Sequence, residues 1–538
     1  MKKFDKRRAV YSIVAGLNFS LIFVCGFQLN KDHEIYFGLK TTAIILLFWL
    51  VLSALFYFVL NLRKSIKADK NFKLKRWQIF LPLFLLSLFL LFAIYPGNYC
   101  YDSGAQYRRY ATGEYTTHYP PAFCFLLGVI IDFGVNVFGN ANAGVALACL
   151  FQSLIVNLAI TETIFYLSNK VKNKKFTIIN VTFFIVHPLV QILILSTCHD
   201  VVFGATFLLI VLELLKLSED DLYLYKKSNW FKLFVYIFTM CIFRNNGFFA
   251  LIPALIIGLI VLKKNRVRFA TILLIPMLIF QIGYNIIFLG LINVKRESLV
   301  HESLNVPVMQ IARALYYNHP TVWSDELNTY FHEVCDWRRY GEFPSISDGI
   351  KKCINDEYLE SHLFEFVGYW AKIGMKVPHR YIEAPGMLTI GMWFPWTEYP
   401  ENPYKNSPMY HAYVEHNLHT YAYTTYESGE AVQVSREAGI PEINKFFEWF
   451  FQNDQAWSKV PVMHLIWSGS FSTFLFVISV FFVLYRKQRC YIIPLSLIFG
   501  MLLTVFLSPV VFFRYLFPIV LTVPIMFYII IKCASAKR

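Results

Sequence analysis

The 538-residue chain is 57% hydrophobic, 18% aromatic and 16% charged, against roughly 45–50% apolar and about 25% charged in ordinary soluble domains. This excludes a soluble globular enzyme. A formal charge of +15 would point to nucleic acid in a soluble protein, but the apolar bulk makes a lipid bilayer the expected partner and nucleic acid is not expected.

A spanning helix needs about 20 mostly apolar residues. In chain order the candidates are 9–29, 37–61, 77–95, 141–167, 177–196, 200–217, 232–243, 247–262, 269–292, 461–485, 490–507 and 513–532. The first follows a basic start without a small-residue cleavage site and reads as an anchor. Basic clusters at 2–8, 63–76, 170–175, 226–232, 263–268, 486–489 and 532–538 fall on one side if all twelve segments cross. Because basic loops stay cytoplasmic, both termini are expected in the cytoplasm of a multi-pass cell-membrane protein. A crossing at 119–138 would throw every later cluster outside. That stretch therefore reads as a helix on the outer leaflet, started by Pro120–Pro121 and ended by Gly139–Asn140.

The expected fold class is an all-α polytopic membrane protein of about 12 transmembrane helices with an extracytoplasmic mixed domain. Its expected parts are an N-terminal membrane region 1–293, containing an outer loop 96–142, then the outer domain 294–460, then C-terminal membrane helices 461–538. The outer domain holds 22 of the 35 acidic residues and has helical patterns near 306–318 and 356–376. Cys335 and Cys353 are its cysteines, and the sequence leaves open whether they pair or stay thiols. None of the ten cysteines forms a CxxC pair, so no cysteine metal cluster is implied.

Ionisable residues at membrane depth cost about 2.5–3.5 kcal/mol each on insertion scales, so those that persist usually face a cavity or a site. Four places stand out, all at the outer face in this topology. After the third span, Pro96 and Gly97 break the helix and leave Asp102 near the membrane surface. It either caps a helix starting at Ser103 or accepts a proton or binds a divalent metal. His118, before Pro120–Pro121, orients a phosphate or is simply an interfacial aromatic. His199 and Asp200 form an acid–imidazole pair in an otherwise apolar turn, with capping by Asp200 as the alternative. Arg244, between two short apolar segments, and Arg514 offer planar forks for phosphate oxygens or pair with Asp102 and Asp200.

Several features together resemble the GT-C superfamily of polytopic glycosyltransferases that use polyprenyl-phosphate sugars. They are an acid in the first large outer loop, a His-x-Pro-Pro start to a surface helix, a second acidic motif at the next outer turn, an Arg-x-x-Gly break and a late Arg-Tyr-x-x-Pro. The segment from Glu302 through Pro307 and Gln310 to Arg313 looks more like bacterial membrane proteins of the same architecture. The resemblance implies Asp102 as general base, Asp200 and His199 as orienting or metal-completing residues, and Arg244, Arg514 and His118 as binders of the donor phosphate. It further implies a GT-C-type, inverting glycosyltransferase reaction from a polyprenyl-phosphate-linked sugar donor to an envelope glycan, teichoic acid or glycolipid acceptor. The site would be extracytoplasmic and would use either no cofactor or a divalent metal (Mg or Mn). Asp200 follows His199 here where the family carries an acidic pair or Lys-Asp. Trp337, Trp370, Trp393 and Trp396 either stack acceptor sugars or pack a core. The rival classes are a transporter or flippase of lipid-linked saccharides and a non-catalytic scaffold. The absence of an internal repeat and the clustering of these residues at one face favour the enzyme over a transporter.

Overall fold

A computed structural model describes residues 5–62, 66–297, 300–322, 324–335, 337–342, 345–351, 353–397, 423–424, 432–452 and 460–536. Its main helices are α1 (Lys6–Asp32), α2 (Leu39–Val59), α3 (Trp77–Ala93), α4 (Tyr101–Thr112), α5 (Pro121–Phe138), α6 (Ala141–Val171), α7 (Lys174–Ile185), α8 (Pro188–Ile194), α9 (His199–Glu219), α10 (Lys227–Phe243), α11 (Asn246–Val261), α12 (Arg266–Leu278), α13 (Asn305–Val322), α14 (Leu363–Lys376), α15 (Pro378–Leu388), α16 (Gly469–Arg486), α17 (Ile492–Phe506), α18 (Phe513–Leu521) and α19 (Val523–Ser535). The basic residues at 2, 3, 63, 64, 537 and 538 used for orientation lie outside the described residues.

The protein is helical throughout, apart from a pair of two-residue strands, Tyr423–Thr424 with Val432–Gln433, among the described residues. Eight described helices are long and apolar enough to cross a membrane, or ten if each of two bent pairs is one span. The chain is thus a multi-pass membrane protein. Several expected spans differ in form. Segment 177–196 breaks into α7 and α8, bent by 66°, because Pro188 disfavours helical backbone at His187. Segment 513–532 becomes α18 and α19, bent by 44°, with Pro524 in the first turn of the second helix. Segments 77–95 and 247–262 yield helices of 17 and 16 residues. Helix α5, expected on the surface, is by length and composition among the eight. Pro120 and Pro121 do start it, and Gly139 at φ 74° ends it in the left-handed conformation, which glycine adopts without a Cβ clash.

The residues cluster into two compact units, each assembled from separated stretches: 1–61, 297–413 and 503–512 in one, and 62–296, 414–502 and 513–538 in the other. In the first, Gly16 lets α1 and α2 approach until a Cβ there would strike the Ser53 backbone, and Phe19 stacks on Phe56 at 5.2 Å. Only Ile45 and Phe56 of α2 are buried, so its apolar surface is left for lipid. The described part of 294–397 is helical rather than mixed. It packs Met309, Leu315, Phe331, Tyr340 and Phe366 into one core.

A buried charge network ties the end of α1 to that core. Arg313 donates to Glu383 at 2.9 Å and to the Tyr340 hydroxyl at 2.7 Å, and also to the His33 carbonyl. Glu383 accepts from the Ile35 amide at 2.7 Å. Arg380 bridges Glu383 and Glu34 at 2.9 and 2.8 Å. The four tryptophans are partly buried against core residues. Trp370 donates to Gln310 at 2.8 Å, Trp393 donates to the Gly386 carbonyl at 3.1 Å, Trp396 stacks on Phe27 at 5.9 Å, and Trp337 lies against the core. Cys335 and Cys353 stand as thiols without a disulfide between them.

In the second unit α9 is the central helix: 16 of its 21 residues are buried, as an all-round apolar helix requires when other helices surround it. Helix α6 packs on α5 through Gly134 and Gly144. A Cβ on Gly144 would come within 2.6 Å of the Ile131 carbonyl oxygen, so the two backbones touch. Buried polar side chains on α6 find partners on neighbouring elements. Asn157 donates to Ser87 of α3 at 2.9 Å, and Gln152 donates to the Ser196 carbonyl at 2.7 Å.

Candidate functional site

The site is assembled where two helices begin side by side. The chain leaving α3 turns at Gly97, whose φ of 95° needs glycine. Asn98 then pairs in parallel with the turn before α9. Its amide donates to the Leu195 carbonyl at 2.9 Å, and its carbonyl accepts from the Thr197 amide at 2.9 Å. Thr197 Oγ1 accepts the Cys100 amide at 2.9 Å and meets Ser103 Oγ at 2.6 Å. The N-termini of α4 and α9 are thereby stapled together, with Asp102 in the first turn of one and Asp200 in the first turn of the other. Carboxylates there are favoured by the positive end of the helix dipole. Neither acts as the N-cap considered from the sequence. Cys100 and Cys198 hold those positions, without a capping hydrogen bond from their side chains.

Two arginines reach these acids from far along the chain. Arg514, in the first turn of α18, places Nη1 2.6 Å from Asp102 Oδ2 and Nε 3.9 Å from Asp200 Oδ2. Arg244, just past the C-terminus of α10, forms an ion pair with Asp200 Oδ1. The charges therefore alternate as Asp102, Arg514, Asp200, Arg244 and sum to zero. Tyr515 lies against both guanidiniums, with its ring centroid 4.7 Å from Arg244 Cζ and 5.1 Å from Arg514 Cζ. Arg514 also donates to the sulfurs of Cys100 and Cys198 at 3.8 and 4.0 Å, and the Cys198 thiol donates to Asp200 Oδ2 at 3.4 Å.

Asp200 is completely buried, whereas the side chains of Asp102 and Arg244 keep 14% and 12% of their surface open. Both ends of the charge chain are therefore accessible and its middle is not. His199 stands beside it, with Nε2 3.8 Å from Asp200 Oδ1. The Gln106 amide lies 3.0 Å from His199 Nδ1; when Nδ1 accepts that hydrogen bond, the ring proton sits on Nε2. Phe123 packs edge-on to the imidazole at 5.8 Å.

The structure thus brings Asp102, Asp200, His199, Arg244 and Arg514 together. His118 is exposed and edge-on to Tyr119 at 4.6 Å, close enough to His199 for the two rings to interact electrostatically. A divalent metal on Asp102 and Asp200 does not fit the arrangement. Each carboxylate is held by a guanidinium that a dication would have to displace, and no group of three or more His, Cys, Asp and Glu is placed to hold a metal ion among the described residues.

Sequence reasoning missed three supporting side chains. Gln106 orients His199, and Tyr515 was signalled only by standing next to Arg514. Arg436 is the third. It donates to the Ile94 carbonyl, to the Gly97 carbonyl at 2.9 Å and to Asn98 Oδ1 at 3.0 Å. Beside it, the Glu437 amide donates to the Tyr95 carbonyl at 3.0 Å, and the Glu437 carboxylate accepts from Asn142 at 2.8 Å. No motif marks this pair in the sequence.

Residues 111–538 match a family model described as "Family of unknown function (DUF6020)". The chain belongs to that family. The DUF6020 match includes His199, Asp200, Arg244, Arg436 and Arg514 and begins after Asp102 and Gln106. No curated protein and no solved structure matches the chain.

Proposed function

We propose that this DUF6020 protein is a membrane glycosyltransferase of GT-C type. It takes a sugar from a polyprenyl-phosphate donor and delivers it to an envelope glycan, teichoic acid or glycolipid at the outer face of the membrane. In this reading both termini are cytoplasmic, α5 lies on the outer leaflet, and the remaining apolar segments make twelve crossings.

The observation that supports it is the convergence of two aspartates and two arginines, drawn from four separate stretches of chain, with Asp102 and Arg244 at the open ends. Arg244 and Arg514 hold the donor phosphate and stabilise the charge that develops on it as the glycosidic bond breaks. A phosphate that engages Arg514 draws that guanidinium from Asp102. The carboxylate oxygen is then available to accept the proton of the attacking acceptor hydroxyl. Asp200, buried between the two arginines, keeps both forks in place, and His199 orients the acceptor. Attack from the side opposite the phosphate inverts the anomeric carbon through an oxocarbenium-like transition state.

The test is transfer of labelled sugar from a panel of polyprenyl-phosphate sugars to an envelope fraction, by the full chain in nanodiscs. Wild type should transfer from at least one donor. Asp102→Asn should lose about 10²–10⁴-fold in turnover while remaining monodisperse. No transfer from any donor, or full turnover in the variant, would overturn the proposal.

A further inference from the structure

A second feature lies in the same compact unit, away from the residues of the proposed site. A cleft of about 300 Å3 runs between α11, α16 and α17. Ile257, Phe476, Val480, Leu484 and Phe499 line it, and Phe476 and Phe499 stack at 6.5 Å. Ser496 is the polar residue in the lining, and its hydroxyl donates to the Ile493 carbonyl at 2.6 Å. From Leu484 to Phe476 the cleft follows α16 for about 12 Å at the helical rise of 1.5 Å per residue. Such a space takes a hydrocarbon chain and offers nothing to a polar one.

The three helices share a basic end. Helix α11 runs out into Lys263, Lys264 and Arg266, and the turn from α16 to α17 carries Lys487 and Arg489, all five exposed. Arg486 in the same turn is buried and donates to the Leu62 carbonyl at 3.2 Å. Lys487 directly follows α16, three residues beyond Leu484 and about 4.5 Å along the axis, and Lys263 lies two residues past Val261, the end of α11, which is itself four residues beyond Ile257. Neither 257–268 nor 476–499 contains an acidic residue. The nearby acidic turn at 219–221 is engaged elsewhere: Glu219 accepts from the Tyr491 and Tyr528 hydroxyls and pairs with Lys170 at 3.1 Å, and Asp221 meets Asn265 through its carbonyl.

We propose that this cleft binds one anionic glycerophospholipid, with an acyl chain between the three helices and its phosphate against Lys487, Arg489 and Lys263. Charge complementarity selects this occupant. A basic pocket between membrane helices suits an anionic headgroup, whereas a partner helix laid in the cleft would leave the five cations unanswered. The proposal is independent of the sugar-transfer reading.

The experiment is native mass spectrometry of the detergent-purified full chain, titrated with palmitoyl-oleoyl phosphatidylglycerol or with the phosphatidylcholine of the same chains. Wild type should retain the anionic lipid at tenfold or more lower concentration than the zwitterionic one. The exposed pair Lys487→Gln/Arg489→Gln should bring the two lipids level. Lys174→Gln/Lys175→Gln, in a different basic cluster, should keep the preference. Val480→Trp, which fills the cleft, should reduce retention of both lipids, and Ser496→Leu replaces it if the tryptophan variant does not fold. Equal retention by wild type, an unchanged preference in the Lys487/Arg489 variant, an equal loss in the Lys174/Lys175 control, or full retention with the cleft filled would each overturn the proposal.

Discussion

Replacing Asp200 by asparagine tests the core of the site, because it keeps the shape and removes only the charge. Asp200 is completely buried, ion-paired with Arg244, 3.9 Å from Arg514 Nε and 3.4 Å from the Cys198 thiol. Without it, Arg244 loses the carboxylate it pairs with, while Arg514 keeps Asp102 at 2.6 Å. Removing one partner of a buried pair leaves an uncompensated charge and costs about 3–5 kcal/mol. Arg244→Gln alone removes the other half of the same pair and should also destabilise. The double variant restores charge balance, since Asp102 and Arg514 remain together. It should therefore be more stable than the sum of the single losses implies, by about 1–3 kcal/mol. Equilibrium unfolding in mixed micelles, run on all four members of the cycle, measures this coupling. Single effects that add to within about 0.5 kcal/mol would refute the alternating charge chain.

Other expectations follow from particular contacts. Arg436→Ala removes the donor to two carbonyls and to Asn98 in the turn that leads to Asp102. It should raise amide hydrogen exchange across 94–102 while leaving exchange within α9 unchanged. Gly144→Ala places a methyl 2.6 Å from the Ile131 carbonyl oxygen, whereas a Cβ at Gly290 meets nothing within 4 Å. The first should lower thermal stability by about 1–3 kcal/mol and the second should have little effect. Burial pushes the Tyr340 phenol from 10.0 up to about 12. Below pH 10 the phenol is protonated in both folded and unfolded chains, and its contribution is complete. Between pH 10 and 12 the unfolded chain loses the proton first, so stability should fall by roughly 3 kcal/mol as pH rises. Unfolding midpoints from pH 9 to 12 would show this slope in wild type, and Tyr340→Phe should flatten it.

Much of the site was legible in the sequence because charge at membrane depth is costly enough to stand out. Asp200, Arg244 and Arg514 are conspicuous in apolar surroundings, and Asp102 stands out by following the Pro96–Gly97 break at the end of the third span. The supporting residues were not. Arg436 lies 342 positions from the Ile94 carbonyl it holds, in a polar stretch where one more arginine carries no signal. His187 and Pro188 do mark the break between α7 and α8, but the apolar run around them reads as one continuous span.

By itself, the sequence determined that the chain is helical and membrane-embedded, where many of its helices start and stop, and which few ionisable residues stand among apolar ones. Apolar length, prolines, glycines and charge are local properties, written within a turn or two of chain. Only the tertiary structure decided which acid meets which arginine. It paired Asp102 with Arg514 across 412 residues. It also tied the end of α1 to α13 and α15 through Arg313 and Glu383, and opened an apolar cleft beneath a basic turn. Such pairings depend on how helices pack in three dimensions, and periodicity along a single helix carries no record of its neighbour.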